Sequence, residues 1–431
     1  MELINSSNAL AVSIDIRFRT CLMLRSGNTG EFSDSEIEMT PEKESVHISG
    51  YVWASLFRRV FSRIKGAEGI AREIGDYDAS QQGISRFWAD ASFVKMVHSD
   101  IRPGIRIDRA YGSIEAGALF SDEVVSPGHC TSIDFIWFLK QGESESAVLR
   151  HLLSALHLID SPVESIGGGW SYGFGRMEVL MLRTRLLDLK DSGQRKNLFK
   201  KDRSLPWDME KSWDLIKSET CFPDLVTPFE TIKVTANIAD GQYLSVAVSH
   251  PGIHAPVSYA KLPDSFVFRG IRINGSHQPV PEFIIPGKAL RQALFSAGIE
   301  RRLRSKGRKE SGVSDLMDRW FGSTNNRGLV AIADARVDNA KPVVINRIQL
   351  CEHTLQNLNL FSGEYLQNGN FTFTIVLDEK EVELGSHLIA ILEEMQPQGS
   401  SPPGWYRLGM TSTATGQIAV TNIQTCNYPE E

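Results

Sequence analysis

Polar and apolar side chains first alternate between residues 10 and 19. Val12, Ile14, Ile16 and Phe18 fall on one side, and Ser13, Asp15, Arg17 and Arg19 on the other. This is the two-residue period of a half-buried strand. A polar stretch follows to about Val46, and after Gly50 the period changes. Val52, Leu56, Val60 and Ile64 recur at helical spacing, with Phe57 and Phe61 widening the stripe. The pattern then predicts a strand near 105–109 and another over 129–140, where Ile133, Phe135, Trp137 and Leu139 alternate. Residues 147–159 put Leu149, Leu152, Leu153, Leu156 and Ile159 on one helical face, and 176–182 reads as a closing strand. The order β-α-β-β-α-β is that of a ferredoxin-like unit.

The same order returns downstream. Ile232, Val234, Ala236 and Ile238 alternate, and a helix follows Pro286-Gly287 through Leu290, Leu294 and Ala297. Strands are expected at 329–334, 342–350 and 370–377, a helix through Leu384, Leu388, Ile391, Leu392 and Met395, and a last strand from 417. Short matches tie the halves together. Ile48-Ser49-Gly50 answers Ile285-Pro286-Gly287, and Ile107-Asp108-Arg109 answers Ile345-Asn346-Arg347. Leu119-Phe120-Ser121 answers Leu360-Phe361-Ser362, and Gly175 through Val179 answers Gly416 through Val420. The offsets are 237, 238, 241 and 241 residues. Four ordered matches at near-constant offset argue for a duplication. The expected architecture is α+β: two tandem ferredoxin-like (RRM-like, βαββαβ) units with inserted loops and hairpins. They span 1–190 and 230–431, joined by a connector over 191–229 with one short helix near 209–217. Trp207 and Trp213 read as anchors pinning that connector to a unit.

Composition narrows the function. The 431 residues are 42% hydrophobic and 23% charged, with a net charge of -6, which excludes nucleic-acid binding by bulk positive charge. Local charge differs: residues 291–309 hold Arg291, Arg301, Arg302, Arg304, Lys306, Arg308 and Lys309 against Glu300. That run follows a helix start whose backbone N–H groups favour anions, and Arg58, Arg59 and Arg63 lie along the corresponding first helix. The five cysteines are scattered without a CxxC pair, so a zinc ribbon or thioredoxin-type site is not expected and reduced thiols are. No apolar run reaches the roughly 20 residues of a membrane span, and no leader pattern opens the chain. A cytoplasmic protein without membrane attachment is expected.

The most distinctive segment is the glycine loop 167–175, Gly-Gly-Gly-Trp-Ser-Tyr-Gly-Phe-Gly. It leaves a helix and enters a strand, the reverse of a dinucleotide fingerprint, and has no Lys-Ser/Thr of a phosphate loop. Its glycines permit close backbone approach, its N–H groups could cradle phosphate, and Trp170 and Tyr172 offer stacking faces. Asp34-Ser35 and Asp264-Ser265 echo each other in the loops before the two basic helices. A lone loop Asp is ordinarily a turn former. The histidines show no ligand spacing, and no hydrolase or kinase motif occurs.

Together these segments resemble the RAMP superfamily of CRISPR systems, and within it the backbone subunit of type III effector complexes, as two fused copies. The family's Pro-Gly-Ser-Ser-Leu-Lys/Arg-Gly-x-x-Arg helix start keeps Gly50 and Arg58 in the first copy, with Tyr51, Val52 and Trp53 in place of Ser-Ser-Leu. The second copy keeps Pro286, Gly287, Leu290 and Arg291, with Phe295 at the last Arg position. The glycine loop matches in the first copy and decays in the second, over 408–416. The resemblance implies a subunit that grips CRISPR guide RNA through Gly50, Arg58, Arg59, Arg109, Gly168, Ser171, Tyr172, Gly173, Gly287, Lys288, Arg291 and Arg347. A thumb-like hairpin interrupts pairing with target single-stranded RNA. Asp34 and Asp264 are the implied catalytic residues and ligands of a divalent cation, Mg²⁺ or Mn²⁺, for metal-dependent endoribonuclease cleavage of target RNA. Implied partners are a large polymerase-like subunit, a capping subunit, and other backbone and small subunits. Alternatives are a non-catalytic architectural subunit, a guide-processing endoribonuclease using His47 as base, and a duplicated small-molecule binder.

Overall fold

The computed structural model describes residues 7–29, 33–42, 44–74, 85–95, 98–107, 114–200, 206–248, 263–323, 326–350, 357–398, 406–409 and 415–428. The first unit is built on an antiparallel sheet. Its order is Met209–Ser212, Met177–Asp188, Asn8–Phe18, Cys130–Phe138, Phe87–Ala89. The last four follow the 4-1-3-2 order of a ferredoxin-like sheet. The helix Gly50–Arg63 buries Trp53, Leu56, Phe57, Val60 and Phe61, and Glu145–Asp160 buries Val148, Leu152, Leu156 and Ile159. These join Leu10, Val12, Ile14 and Ile16 of the first strand in one core. Phe57 packs on Phe87 and Phe135, and Phe61 on Trp137, edge to face.

The second unit repeats this plan. Its sheet runs Ile418–Tyr428, Phe229–Ile238, Asn370–Leu377, Ala335–Asp338, Pro279–Ile285, Arg269–Ile273, with Val330–Ile332 also on Asn370–Leu377. The register repeats as well. Phe87, Trp88 and Ala89 face Trp137, Ile136 and Phe135, and Val330, Ala331 and Ile332 face Leu377, Val376 and Ile375. Each opening strand shifts register against its closing strand at the same place, Asp15/Ile16 and Thr235/Ala236. The second basic helix starts with an α-helical turn, Gly287–Ala289, passes through a π-helical stretch, Leu290–Ser296, and finishes α-helical to Ser305.

Two strand expectations need correction. The segment at 105–109 is not the second sheet strand. Ser99–Ile107 pairs only with Ile114–Val125, as a separate two-stranded hairpin. Three-residue Phe87–Ala89 fills the sheet position and is too short to display a period. Likewise Lys341–Leu350 pairs with Asn357–Gln367 outside the main sheet, where Val330–Ile332 and Ala335–Asp338 stand instead. In the connector, the expected 209–217 helix divides into an edge strand, Met209–Ser212, and a helix, Trp213–Glu219. Trp213 anchors it in the first core with Ile216 and Leu225, and Trp207 lies under the Arg185 guanidinium.

Candidate nucleic-acid interface

The two loop aspartates adopt the same geometry. Asp34 Oδ2 accepts the Ser121 N–H at 2.6 Å and the Ser121 hydroxyl at 3.2 Å, and Asp34 N donates back to Ser121 O at 2.8 Å. Asp264 Oδ2 accepts the Ser362 N–H at 2.7 Å and its hydroxyl at 3.3 Å, and Asp264 N donates to Ser362 O at 2.9 Å. Behind each clamp a glutamate repeats too. Glu123 Oε2 accepts the Ile37 N–H and Glu364 Oε2 the Val267 N–H. Each aspartate therefore ties its loop to the hairpin that follows, while its carboxylate stays exposed. Ser121 and Ser362 were legible as matched positions, but not as partners of the aspartates.

The glycines at both helix starts are dictated by contact: a Cβ on Gly50 would lie 2.1 Å from Ala89 O, and one on Gly287 2.0 Å from Ile332 O. In the second unit Asp334 Oδ1 accepts the Gly287 N–H at 2.8 Å, so part of that anion-attracting terminus meets the chain's own carboxylate. Along the first helix, Arg58 is exposed. Arg59 is held inward, donating to Glu164 at 2.8 Å and to Ser165 O at 2.6 Å. Arg63 crosses to Asp378 of the second unit at 2.6 Å.

The glycine loop lies against the second unit. Gly167, Gly169, Gly173 and Gly175 have φ between 70° and 76°, conformations that side-chain-bearing residues rarely adopt. Its N–H groups are largely engaged inside the protein. Gly168 N donates to Met23 O, Tyr172 N and Phe174 N to Gly169 O, Gly173 N to Trp170 O, and Gly175 N to Cys21 O. The expected backbone cradle is thus closed at these five groups. Lys288, from the second helix start, brings its ammonium 4.1 Å from the Phe120 ring centroid and 5.4 Å from that of Tyr172. Ser171 is half-buried beside them, and Arg327 stacks over Trp170 at 3.9 Å. Gly173 packs where a Cβ would stand 2.6 Å from Ala333 Cα. One cation and two aromatic rings from three distant segments form a composite surface suited to a phosphate and a base.

Beneath this surface Arg102 is buried between the units. It lies 3.6 Å from Asp100 and 3.1 Å from Asp334, donates to Cys21 Sγ at 3.0 Å, and stacks over Phe268 at 4.8 Å. Burial opposes its charge, but Cys21, Asp334 and Asp100 hold its pKa above the ordinary value. Burial raises the Asp100 pKa against the pull of Arg102. Arg102, Asp334 and Arg327 were not singled out from sequence, and Phe120 only as a repeat match, because only the tertiary fold brings them to the glycine loop.

The other expected RNA contacts are more dispersed. Arg291 donates to Phe321 O and stacks on that ring at 5.3 Å, and Arg347 stacks on Tyr365 at 5.0 Å. Arg109 lies outside the described residues, as do positions 410–414 of the second glycine loop. The basic run 291–309 is much neutralised in three dimensions. Arg302 pairs with Glu394, Arg304 with Glu300 and Glu310, and Arg308 with Glu383. His47 Nδ1 is 3.0 Å from Glu38 Oε1, with the Phe93 ring 5.6 Å from its own.

Among the described residues, no three His, Cys, Asp or Glu side chains converge as a metal cage. Among the described residues, Asp34 and Asp264 would each offer a cation a single carboxylate, leaving water or RNA oxygens to complete the shell. Among the described residues no helix is long and apolar enough to cross a membrane.

Compared with known proteins, residues 17–178 match the family model for the RAMP superfamily. No curated protein matches the chain. A RAMP-superfamily domain over these residues implies a CRISPR-associated, RNA-binding protein.

Proposed function

We propose, from a chain that carries a RAMP-superfamily domain over residues 17–178, that both units are of this type and together form a guide RNA-binding backbone subunit of a type III effector complex. The observation that carries this reading is the doubled carboxylate clamp, Asp34 on Ser121 and Asp264 on Ser362. A duplication that keeps an exposed carboxylate, its serine and the glutamate behind it preserves more than a fold needs. In this reading guide RNA follows Arg58 on the first helix and the composite surface of Ser171, Tyr172 and Lys288. The partners are target single-stranded RNA, a large polymerase-like subunit, a capping subunit, and other backbone and small subunits in the cytoplasm.

Cleavage follows from the carboxylate. A target nucleotide turned out of the duplex can align its 2′-oxygen with the adjacent phosphorus. With Oδ2 held by Ser121, the second carboxylate oxygen accepts the 2′-hydroxyl proton as the O–P bond forms. The 5′-oxygen leaves with a proton from water, and the product ends in a cyclic phosphate. A Mg²⁺ or Mn²⁺ ion on the same carboxylate would supply charge stabilisation at the phosphoryl oxygens.

The test is product mapping with the assembled complex. Asp34→Ala is expected to remove one set of target cuts and Asp264→Ala a neighbouring set, each by about 10²-fold or more, with guide binding retained. Full cleavage by the double variant overturns the catalytic part. Purified protein that carries no RNA and binds no guide overturns the whole. The Glu38-oriented imidazole of His47 favours one second reading, a guide-processing endoribonuclease. His47→Ala would then abolish precursor cutting and leave target cuts unchanged.

A further inference from the structure

The two carboxylate clamps share a frame and differ in what holds it. Beyond the aspartate and its serine, each loop meets the hairpin through a parallel bridge, Ser35 with Asp122 and Ser265 with Gly363. Glu123 N donates to Ser35 O at 3.0 Å, and Glu364 N to Ser265 O at 2.9 Å. Each glutamate carboxylate then turns back to its loop, accepting the N–H of Ile37 at 3.3 Å or of Val267 at 3.1 Å. Loop and hairpin are thus tied twice, by the aspartate at one end and by the glutamate at the other.

Two residues further on, the units part. Register makes Met39 and Arg269 equivalent. Met39 pairs with Val46 as Arg269 pairs with Phe283, and Val46 and Phe283 stand two residues before Ile48 and Ile285. In the second unit the Arg269 guanidinium donates to Glu364 through Nη1, at 2.8 Å, and through Nη2, and Nη1 also reaches Val267 O at 3.2 Å. The same guanidinium lies 4.9 Å over the Phe283 ring centroid. The side chains of Arg269 and Glu364 are 6% and 0% exposed. A bidentate pair fixes orientation as well as distance, and away from water it is little screened. In the first unit the matched residue, Met39, carries no charge. Among the described residues no cation pairs with the half-buried Glu123, and Arg25 meets Asp122 instead, at 3.0 Å, from a largely exposed side chain.

A buried pair is an expensive way to hold a loop, since taking two charges out of water is unfavourable and apolar side chains of similar volume can serve a fold as well. What it adds here is a fixed place for Asp264. Asp264 N, Ser265 O and Val267 N all bond to residues 362–364, and Arg269 clamps Val267 O and Glu364 together. We propose that Arg269 is a positioning residue of the Asp264 site: through Glu364 it holds the loop so that the second carboxylate oxygen of Asp264 stays aimed at the RNA 2′-hydroxyl. The proposal rests on the cleavage reading above and adds an inequality to it. The second site is locked by a buried ion pair and the first is not. Misplacement of a reacting group by about 1 Å can cost about 10²-fold in rate, so the lock acts on cleavage and not only on stability.

The experiment is single-turnover target cleavage by the assembled complex, with cuts mapped by product length. Asp264→Ala first assigns the cuts that depend on the second unit, and the Asp34-dependent cuts serve as the control within the same molecule. Arg269→Met places the first unit's residue in the second. It is expected to slow the Asp264-dependent cuts by about 10- to 100-fold, with the half-saturating concentration unchanged and the Asp34-dependent cuts at their wild-type rate. Because this variant leaves Glu364 buried without its cation, Arg269→Met with Glu364→Gln is measured beside it. Removing both charges should return the thermal midpoint close to that of the wild type and leave the cleavage defect in place. Arg269→Lys keeps the charge without the fork and should cut at an intermediate rate. If Arg269→Met does not fold, the double variant and Arg269→Lys decide. Wild-type rates at the Asp264-dependent cuts in these variants overturn the proposal. So does equal slowing of both sets of cuts, which would assign the pair to general stability. A wild-type complex with no Asp264-dependent cut overturns the cleavage reading of this unit, and the proposal with it.

Discussion

Cys21 and Arg102 show how burial and charge compete at a single residue. The guanidinium donates to the thiol at 3.0 Å, which by itself would favour thiolate. Burial dominates, and the Cys21 pKa is pushed up to about 12 from 9.0. Cys21 should therefore resist iodoacetamide at pH 8, while exposed Cys130 and Cys221 react, as mass mapping would read. Its stability contribution is intact below pH 9.0 and is lost as pH rises toward 12, because the unfolded thiol ionises first. Arg102→Ala leaves the half-buried Asp100 and Asp334 without their cation, and should lower unfolding free energy by about 1–3 kcal/mol in urea titrations. Gly173→Ala meets both a positive φ and Ala333, and should cost about 1–3 kcal/mol while weakening guide binding. The glycine loop 167–175 stood out in the sequence, but the closure of five of its N–H groups did not, since their acceptors include Met23 and Cys21, about 150 positions away along the chain.

Among elements, the connector is held by a titratable contact. His157, on the helix Glu145–Asp160, sits 2.7 Å from Thr220 Oγ1 and edge-on to Trp213 and Phe222. Burial, aided by Lys217, lowers its pKa below 6.5. The neutral ring contributes fully above pH 6.5, and that contribution falls as pH drops below 6.5, where the unfolded histidine protonates first. Limited proteolysis within 201–229 should speed up at pH 5 relative to pH 7.5, and His157→Gln should remove that pH dependence. The long helices and the opening and closing strands were legible, because their periods repeat several times within one element. Phe87–Ala89 and the connector edge strand were not. Strands of three or four residues carry too little pattern, and their place is fixed by partners elsewhere.

For the whole molecule, charge is the clearest case of tertiary revision. The run 291–309 reads as +6 along the chain, yet Arg302, Arg304 and Arg308 meet glutamates at 300, 310, 383 and 394. Exposed pairs of this kind contribute about 0–1 kcal/mol each, and they lessen the field that RNA would meet. Replacing these three arginines with glutamine should therefore weaken guide binding less than Lys288→Ala alone, in filter binding at fixed salt. Local periodicity and four near-constant offsets were enough to read one pattern twice in the sequence, because helix and strand patterns follow from neighbouring residues. Only the tertiary structure decided that the first unit's glycine loop packs on the second unit, that Asp34 and Asp264 clamp hairpins, and that Lys288 of one unit lies over Tyr172 of the other. Those contacts join residues some 90 to 120 positions apart, and their energy depends on three-dimensional packing that no local pattern encodes.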